Sequence, residues 1–213
     1  MNNYIITIAR GFGSGGKEIG SKLAKRLGVP CYEDQILKMA SDFSGINESL
    51  FQEVNEKLKH GSYVRGYLKK VPFTSIAQPN TKEFISDENL FNIQSEIIKK
   101  LAMSQSCVII GKCADYVLKN YPNVISVYIE APRADCVRSI VDKMGVTEEE
   151  AHKLIEKTDK YRADYYRYYT QGGYWTNPVN YDMTLNSARV GRERCVDVIE
   201  DYMKLKWGDI ACI

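Results

Sequence analysis

Eight consecutive residues, Gly11-Phe12-Gly13-Ser14-Gly15-Gly16-Lys17-Glu18, constrain this chain more than any other stretch. Their spacing is that of the phosphate-binding loop G-x-x-x-x-G-K-[ST] at every place but the last, where Glu18 replaces a hydroxyl. An apolar, strand-forming run, Tyr4-Ile5-Ile6-Thr7-Ile8, leads directly into the glycines. A helical pattern follows Lys17, with Ile19, Leu23 and Leu27 one turn apart until Gly28-Val29-Pro30 stops it. Strand, loop and helix in that order aim main-chain N–H groups and a helix N-terminus at one anion. The glycines admit backbone conformations closed to other residues and let a phosphate come close to the main chain. Lys17 adds a mobile charge that can reach β- and γ-phosphates. The expected phosphate-binding set is therefore Gly11, Gly13, Ser14, Gly15, Gly16, Lys17 and Glu18.

Composition narrows the partners. A chain of 213 residues forms one α/β domain, or one domain with an insert, around a single large core. A net charge of +2 gives no electrostatic case for a nucleic acid polymer or a membrane surface. No apolar run approaches the ~18 residues of a membrane span, and Met1-Asn2-Asn3 is not a basic leader, so a cytoplasmic protein is expected. The six cysteines show no C-x-x-C pairing and sit mostly in apolar segments, where a free thiol acts as a small hydrophobe. His60 and His152 are isolated in polar, helical settings, which argues against a histidine metal site or catalytic dyad.

Further along, a short strand at residues 29–32 precedes a helix carrying Ile36, Leu37 and Ala40 on one face. Residues 42–86 differ: Leu50, Phe51, Val54 and Leu58 give one amphipathic helix, then Gly61, Gly66, Pro72 and Pro79 break the pattern. This stretch, made locally basic by Arg65, Lys69 and Lys70, reads as an insertion between sheet elements. Ser86 and Asp87 start a helix with Leu90, Ile93, Ile97, Ile98 and Leu101. Val108-Ile109-Ile110-Gly111 reads as a strand buried on both faces, and residues 124–129 as another. A helix with Val137, Ile140, Val141 and Met144 on one side follows, and Thr147 with Glu150 forms a capping box that opens a long polar helix. A last strand at residues 183–185 precedes a closing helix with Cys195, Val198, Ile199, Tyr202 and Met203 inward. Strands alternating with helices predict a parallel sheet covered on both faces, with ligands at the carboxyl ends of its strands. The tyrosines at 161, 165, 166, 168, 169, 174 and 181 fit packing of the long helix better than a stacking surface for bases.

Four separated segments resemble the cytidylate-kinase-like family of P-loop nucleoside monophosphate kinases. They are Ile6-Thr7-Ile8-Ala9-Arg10 with Gly13-Ser14-Gly15-Gly16-Lys17-Glu18-Ile19; Gly28-Val29-Pro30-Cys31-Tyr32-Glu33-Asp34; Val108-Ile109-Ile110-Gly111-Lys112; and Asp159-Lys160-Tyr161-Arg162-Ala163-Asp164-Tyr165-Tyr166 followed by Asn180-Tyr181-Asp182-Met183-Thr184-Leu185-Asn186. The loop alone is generic; the ordered set is far more specific. The resemblance implies an α/β P-loop NTPase fold: a five-stranded parallel sheet flanked by helices, with residues 42–86 an acceptor-binding insert and 145–178 a lid, all within a single domain over residues 1–213. It implies transfer of the γ-phosphate of ATP, with Mg²⁺, to a nucleoside monophosphate, CMP or dCMP by analogy.

In that reaction protein catalysis is mainly in-line positioning and positive charge on the transferring oxygens. Lys17 would hold donor phosphates, and Arg162 would swing in from the lid with its forked guanidinium. Asp159, one turn earlier, would support Arg162. Lys112 and Arg65 would take the acceptor phosphate, while Glu33 or Asp34 would hydrogen-bond the acceptor's base or sugar. Arg133 and Arg138 flank the lid without matching the family's arginine spacing. Glu18 is the one loop carboxylate able to meet magnesium, in place of the usual hydroxyl. Two other readings stay open on sequence alone: a catalytically weak nucleotide-binding module read by a protein partner, and a kinase for a non-nucleotide small metabolite. A monomer and a homodimer fit equally.

Overall fold

The computed structural model describes residues 3–57 and 86–208. In chain order its strands are β1 (Ile5–Arg10), β2 (Cys31–Tyr32), β3 (Cys107–Ile110), β4 (Val124–Glu130) and β5 (Met183–Asn186). They form one five-stranded sheet ordered β2-β3-β1-β4-β5, in which every pairing is parallel. Ile5 lies opposite Cys107 on one side and Val124 on the other, which makes β1 the central strand. Its first five residues are all buried, as a strand covered on both faces requires.

The side chains of β1 and β3 alternate between two cores, as the two-residue strand period dictates. Ile6, Ile8, Val108 and Ile110 face α1 (Gly16–Leu27) and α9 (Arg192–Trp207), which contribute Ile19 and Leu23, and Cys195 and Ile199. Ile5, Ala9, Cys107 and Ile109 face α2 (Gln35–Ser44), α4 (Asp87–Ser104) and α7 (Glu148–Tyr169). The remaining helices are α3 (Glu48–Lys57), α5 (Ala114–Val117), α6 (Arg133–Met144) and α8 (Ser187–Val190). A small third core joins α6 to the start of α7 through Cys136, Val137, Ile140, Ala151 and Ile155.

The local signals read from the sequence operate as expected. Ser86 Oγ accepts from the Asn89 amide to cap α4, and Thr147 and Glu150 close both halves of the capping box on α7. Tyr165, Tyr166, Tyr169 and Tyr181 are buried, with Tyr169 stacked on Phe91 at 3.9 Å and Tyr181 on Tyr128 at 5.2 Å. Tyr168 and Tyr174 stay exposed. Two residues expected inward are not: Met144 sits beside the Gly145 cap with its side chain out, and Val198 falls off the stripe of Cys195, Val196, Ile199 and Met203. Among the described residues the cysteines are free thiols, His152 is exposed, and no helix is long and apolar enough to cross a membrane. His60, Arg65, Cys212 and most of the stretch 42–86 lie outside the described residues.

Parallel strands bring their carboxyl ends to one rim. Arg10, Ile110 and Glu130 end there, and the glycine loop, the turn after β3 and α7 meet above them.

Candidate active site

The glycine loop is tied down from within. The Gly11 amide donates to the Ile129 carbonyl at 3.0 Å, and the Ser14 hydroxyl reaches the Gly11 and Ile129 carbonyls at 2.8 and 3.1 Å. Ser187 Oγ donates to the Ser14 carbonyl. The Ser14 hydroxyl thus points into the protein and sets the curvature of the loop, leaving the main chain to face a ligand. Gly13 and Gly15 have φ of +89° and +84°. Helix α1 begins at Gly16, and its N-cap Gly15 offers no side-chain acceptor, so the amides of the first turn point outward unsatisfied. With the dipole behind them, these groups favour an anion.

Above the loop lies a cleft of about 270 Å³ lined by Gly13, Gly15, Gly16, Lys17 and Glu18, with Arg10 and Arg162 at its far side. Lys17 Nζ lies 2.5 Å from the Glu33 carboxylate, whose other oxygen accepts from Arg10 at 2.8 Å. Burial pushes the Glu33 carboxyl up, but Lys17 and Arg10 outweigh it and hold the group below its ordinary range. Glu33 thus holds both cations at the edge of the cleft.

Glu18 has another task. Its carboxylate meets Lys22 at 3.1 Å, Lys143 at 3.1 Å and Arg192 at 2.6 Å, joining α1 to α6 and α9. Burial raises its pKa, yet the three cations prevail and bring it to about 2 from 4.5. A carboxyl depressed in the fold stabilises it above the unfolded value, and the contribution fades as pH falls toward the folded one. Glu18→Gln is thus expected to melt below the parent at neutral pH, with the gap closing between pH 4.5 and 2. Thermal melts of both proteins across that range check this; a gap that persists at pH 2 contradicts it. Among the described residues no three His, Cys, Asp or Glu side chains converge on a metal. Magnesium needs only one or two carboxylates beside phosphate oxygens and water, so the residues fit the ion with Glu18 as the loop carboxylate that would meet it.

On the other side of Arg10 opens a larger cleft of about 430 Å³. Its rim carries Arg10, Lys112 and Arg162, and its wall Tyr161, Tyr165 and Trp175. Lys112 sits in a strained turn: Gly111, Lys112 and Cys113 have φ of +73°, +59° and +54° in succession. A non-glycine residue held there costs about 1–3 kcal/mol, and such strain gathers at functional sites. The turn folds Lys112 back until its ammonium lies 3.7 Å from Asp34, and burial lowers its pKa. A side chain at Gly111 would be strained at φ +73° and would push the Arg10 guanidinium aside.

Helix α7 is docked on the glycine loop. Asp159 Oδ1 accepts from the Phe12 amide at 2.8 Å and from Arg162 at 3.3 Å, while Arg162 donates to the Arg10 carbonyl at 2.9 Å. Burial and the nearby Arg10 charge bring Arg162 down to about 10, which leaves it a cation at neutral pH. The structure thus brings Lys17, Glu33, Asp34, Lys112, Asp159 and Arg162 to one rim. Arg133 pairs with His152 and Arg138 with Asp135, the latter in a separate pocket beside Gly13 and Ser14. Arg10 was given no role by sequence reasoning, although a cation ending an apolar strand is a signal. Arg192 lies 174 residues from its partner Glu18, and no local pattern announces it.

The profile of the cytidylate kinase-like family matches residues 5–189. No curated protein matches the chain. Among solved structures, an uncharacterized protein from Eubacterium ventriosum ATCC 27560 superposes with a TM-score of 0.67 at 24% identity, over 95% of this chain and 99% of that one. Shikimate kinase from Bacteroides thetaiotaomicron gives a TM-score of 0.51 at 10% identity, over 94% and 98%. At these identities the two structures speak for the fold alone. The family match spans most of the chain and includes the glycine loop, the strained turn and the arginine of α7: the protein belongs to the cytidylate kinase-like family and has the P-loop kinase fold.

Proposed function

We propose that this protein is an ATP-dependent phosphotransferase that passes the γ-phosphate to a nucleoside monophosphate, with CMP and dCMP the acceptors indicated by the family likeness. One observation carries the reading: the loop cleft and the larger cleft share Arg10, Glu33 and Arg162 as common wall. Two ligand volumes that meet at a pair of arginines suit donor and acceptor phosphates approaching in line. Lys17 and the loop amides hold the donor phosphates. Arg162 lies over the transferring group, Asp159 keeps it there, and Lys112 takes the acceptor phosphate, with Glu33 and Asp34 beside the acceptor. Gly11, Gly13, Ser14, Gly15 and Gly16 shape the cradle, and Glu18 braces its helix. Residues 145–178 serve as the lid, whose helix already touches the loop through Asp159. Bound magnesium supplies charge neutralisation on the phosphates.

The second reading, a nucleotide-binding module recognised by a partner, draws on Glu18, which stands where the loop usually has a metal-binding hydroxyl and is paired with three cations. A coupled ADP-release assay across CMP, dCMP, UMP, AMP and GMP, with and without Mg²⁺, separates the two. Acceptor-dependent ADP formation is expected with at least one of them. Stabilisation by ATP with no acceptor raising turnover above background would leave the binding module standing, and turnover with only a non-nucleotide metabolite would redirect the acceptor assignment.

A further inference from the structure

Among the described residues, side-chain polar atoms that are fully buried without a hydrogen-bond partner belong to four residues: Thr7, Gln94, Asp115 and Tyr165. Thr7 and Gln94 line none of the clefts described above. Asp115 and Tyr165 both line the larger one. Their residues are only 7% and 6% exposed, and the orphaned atoms are one carboxylate oxygen, Asp115 Oδ2, and one phenol oxygen, Tyr165 Oη. An unsatisfied buried polar group works against folding, so two in one cleft need a reason. Asp115 stands on α5, three residues beyond Lys112, and Tyr165 on α7, three beyond Arg162; Cys113 lies within electrostatic reach of both. Each orphan thus follows by three residues a cation proposed for phosphate, Tyr165 on the same helix as Arg162 and Asp115 on the short helix after the turn that carries Lys112.

Resting on the phosphotransferase reading above, we propose that Asp115 and Tyr165 are the specificity-determining pair for the acceptor. Asp115 Oδ2 accepts from an N–H or O–H of the acceptor's base or sugar, and Tyr165 Oη donates to a ring nitrogen or carbonyl beside it. The ligand class is a nucleoside monophosphate whose phosphate meets Lys112 and Arg162 while its flat, polar ring lies among Tyr161, Tyr165 and Trp175. Burial lifts the Asp115 carboxyl to about 6, so near neutral pH it stands ionised as an acceptor. The carboxylate is otherwise held by Tyr166, which also borders the cleft, and by the main-chain amides of Asp115 and Tyr116. A site built around such bonds rejects ligands that cannot complete them, because the protein groups are then left unpaired.

The test compares Asp115→Asn and Tyr165→Phe with the parent, using CMP, UMP, AMP and GMP as acceptors and measuring the KM for ATP alongside. For the best acceptor of the parent, KM is expected to rise about 10- to 100-fold in Asp115→Asn and roughly 3- to 10-fold in Tyr165→Phe. The KM for ATP should stay within about twofold in both, and the ligand-free melting temperature of Tyr165→Phe should hold or rise, since that change removes an unsatisfied hydroxyl at nearly constant shape. A parent that turns over one of these acceptors while both variants keep its KM overturns this inference alone. Parallel loss of acceptor and ATP affinity, with a lower melting temperature, also overturns it, in favour of a purely structural role. A parent inactive with all four acceptors and with dCMP overturns the nucleoside monophosphate reading and this inference together.

Discussion

Arg162→Ala is expected to lower turnover on the order of 10³-fold, the scale of a lost arginine finger, while ATP affinity changes only a few-fold. Arg162 is the α7 side chain that lines both clefts, and in the proposed reaction it would meet the phosphoryl group in transit more than either ligand at rest. Its bond to the Arg10 carbonyl and its pairing with Asp159 hold it ready before any ligand arrives. Arg162→Lys restores the charge without the fork and is expected to recover only part of the loss. Asp159→Asn removes the support but leaves the guanidinium, so its effect should be smaller than that of Arg162→Ala. Steady-state kinetics for the three variants check the order. A loss in Arg162→Ala of tenfold or less would place the arginine outside the reaction.

Gly13→Ala is the second large effect, and it acts on the cradle itself. Gly13 has φ +89°, and a Cβ built there would lie 2.7 Å from the Cys136 carbonyl oxygen, a backbone atom that no rotamer change can move. Backbone strain of about 1–3 kcal/mol adds to that clash. A chain of this size loses roughly 2–4 °C in melting temperature per kcal/mol. A melting temperature lower by about 4–10 °C is expected, together with loss of the ATP-induced shift. Gly28→Ala is the matched control: φ there is +68°, but nothing lies within 4 Å of the added carbon. It should melt somewhat lower and respond to ATP like the parent. Equal responses in Gly13→Ala and Gly28→Ala would mean that the Gly13 backbone has no part in binding nucleotide.

The sheet was legible because the sequence wrote it locally. Continuous apolar runs such as Val108-Ile109-Ile110 leave a strand buried on both faces no alternative. Thr147 with Glu150 announced the start of α7. The loop was legible for the same reason, since glycine spacing, a preceding strand and a following helix are all neighbours in sequence. What escaped was long-range. Glu18 finds Lys143 and Arg192 across 125 and 174 residues, and only the packing of α6 and α9 against α1 joins them. Arg10 closes a strand in sequence, and only the fold shows that it reaches Glu33 and walls both clefts. No local pattern marks Asp115 as buried, and its neighbour Tyr166 is placed by α7 from far along the chain. Met144 and Val198 failed differently: apolar spacing marks a face, but where that face ends depends on the neighbouring element.

The central claim is that the main-chain amides from Gly13 to Lys17, with the Lys17 ammonium, receive triphosphate oxygens. Calorimetric titration of ATP into the parent and into Lys17→Ala tests this most directly. Saturable heat with one site per chain is expected from the parent, with affinity at least tenfold weaker in Lys17→Ala, about the worth of one charge-assisted hydrogen bond. No heat from the parent, or identical isotherms from the two proteins, would contradict it.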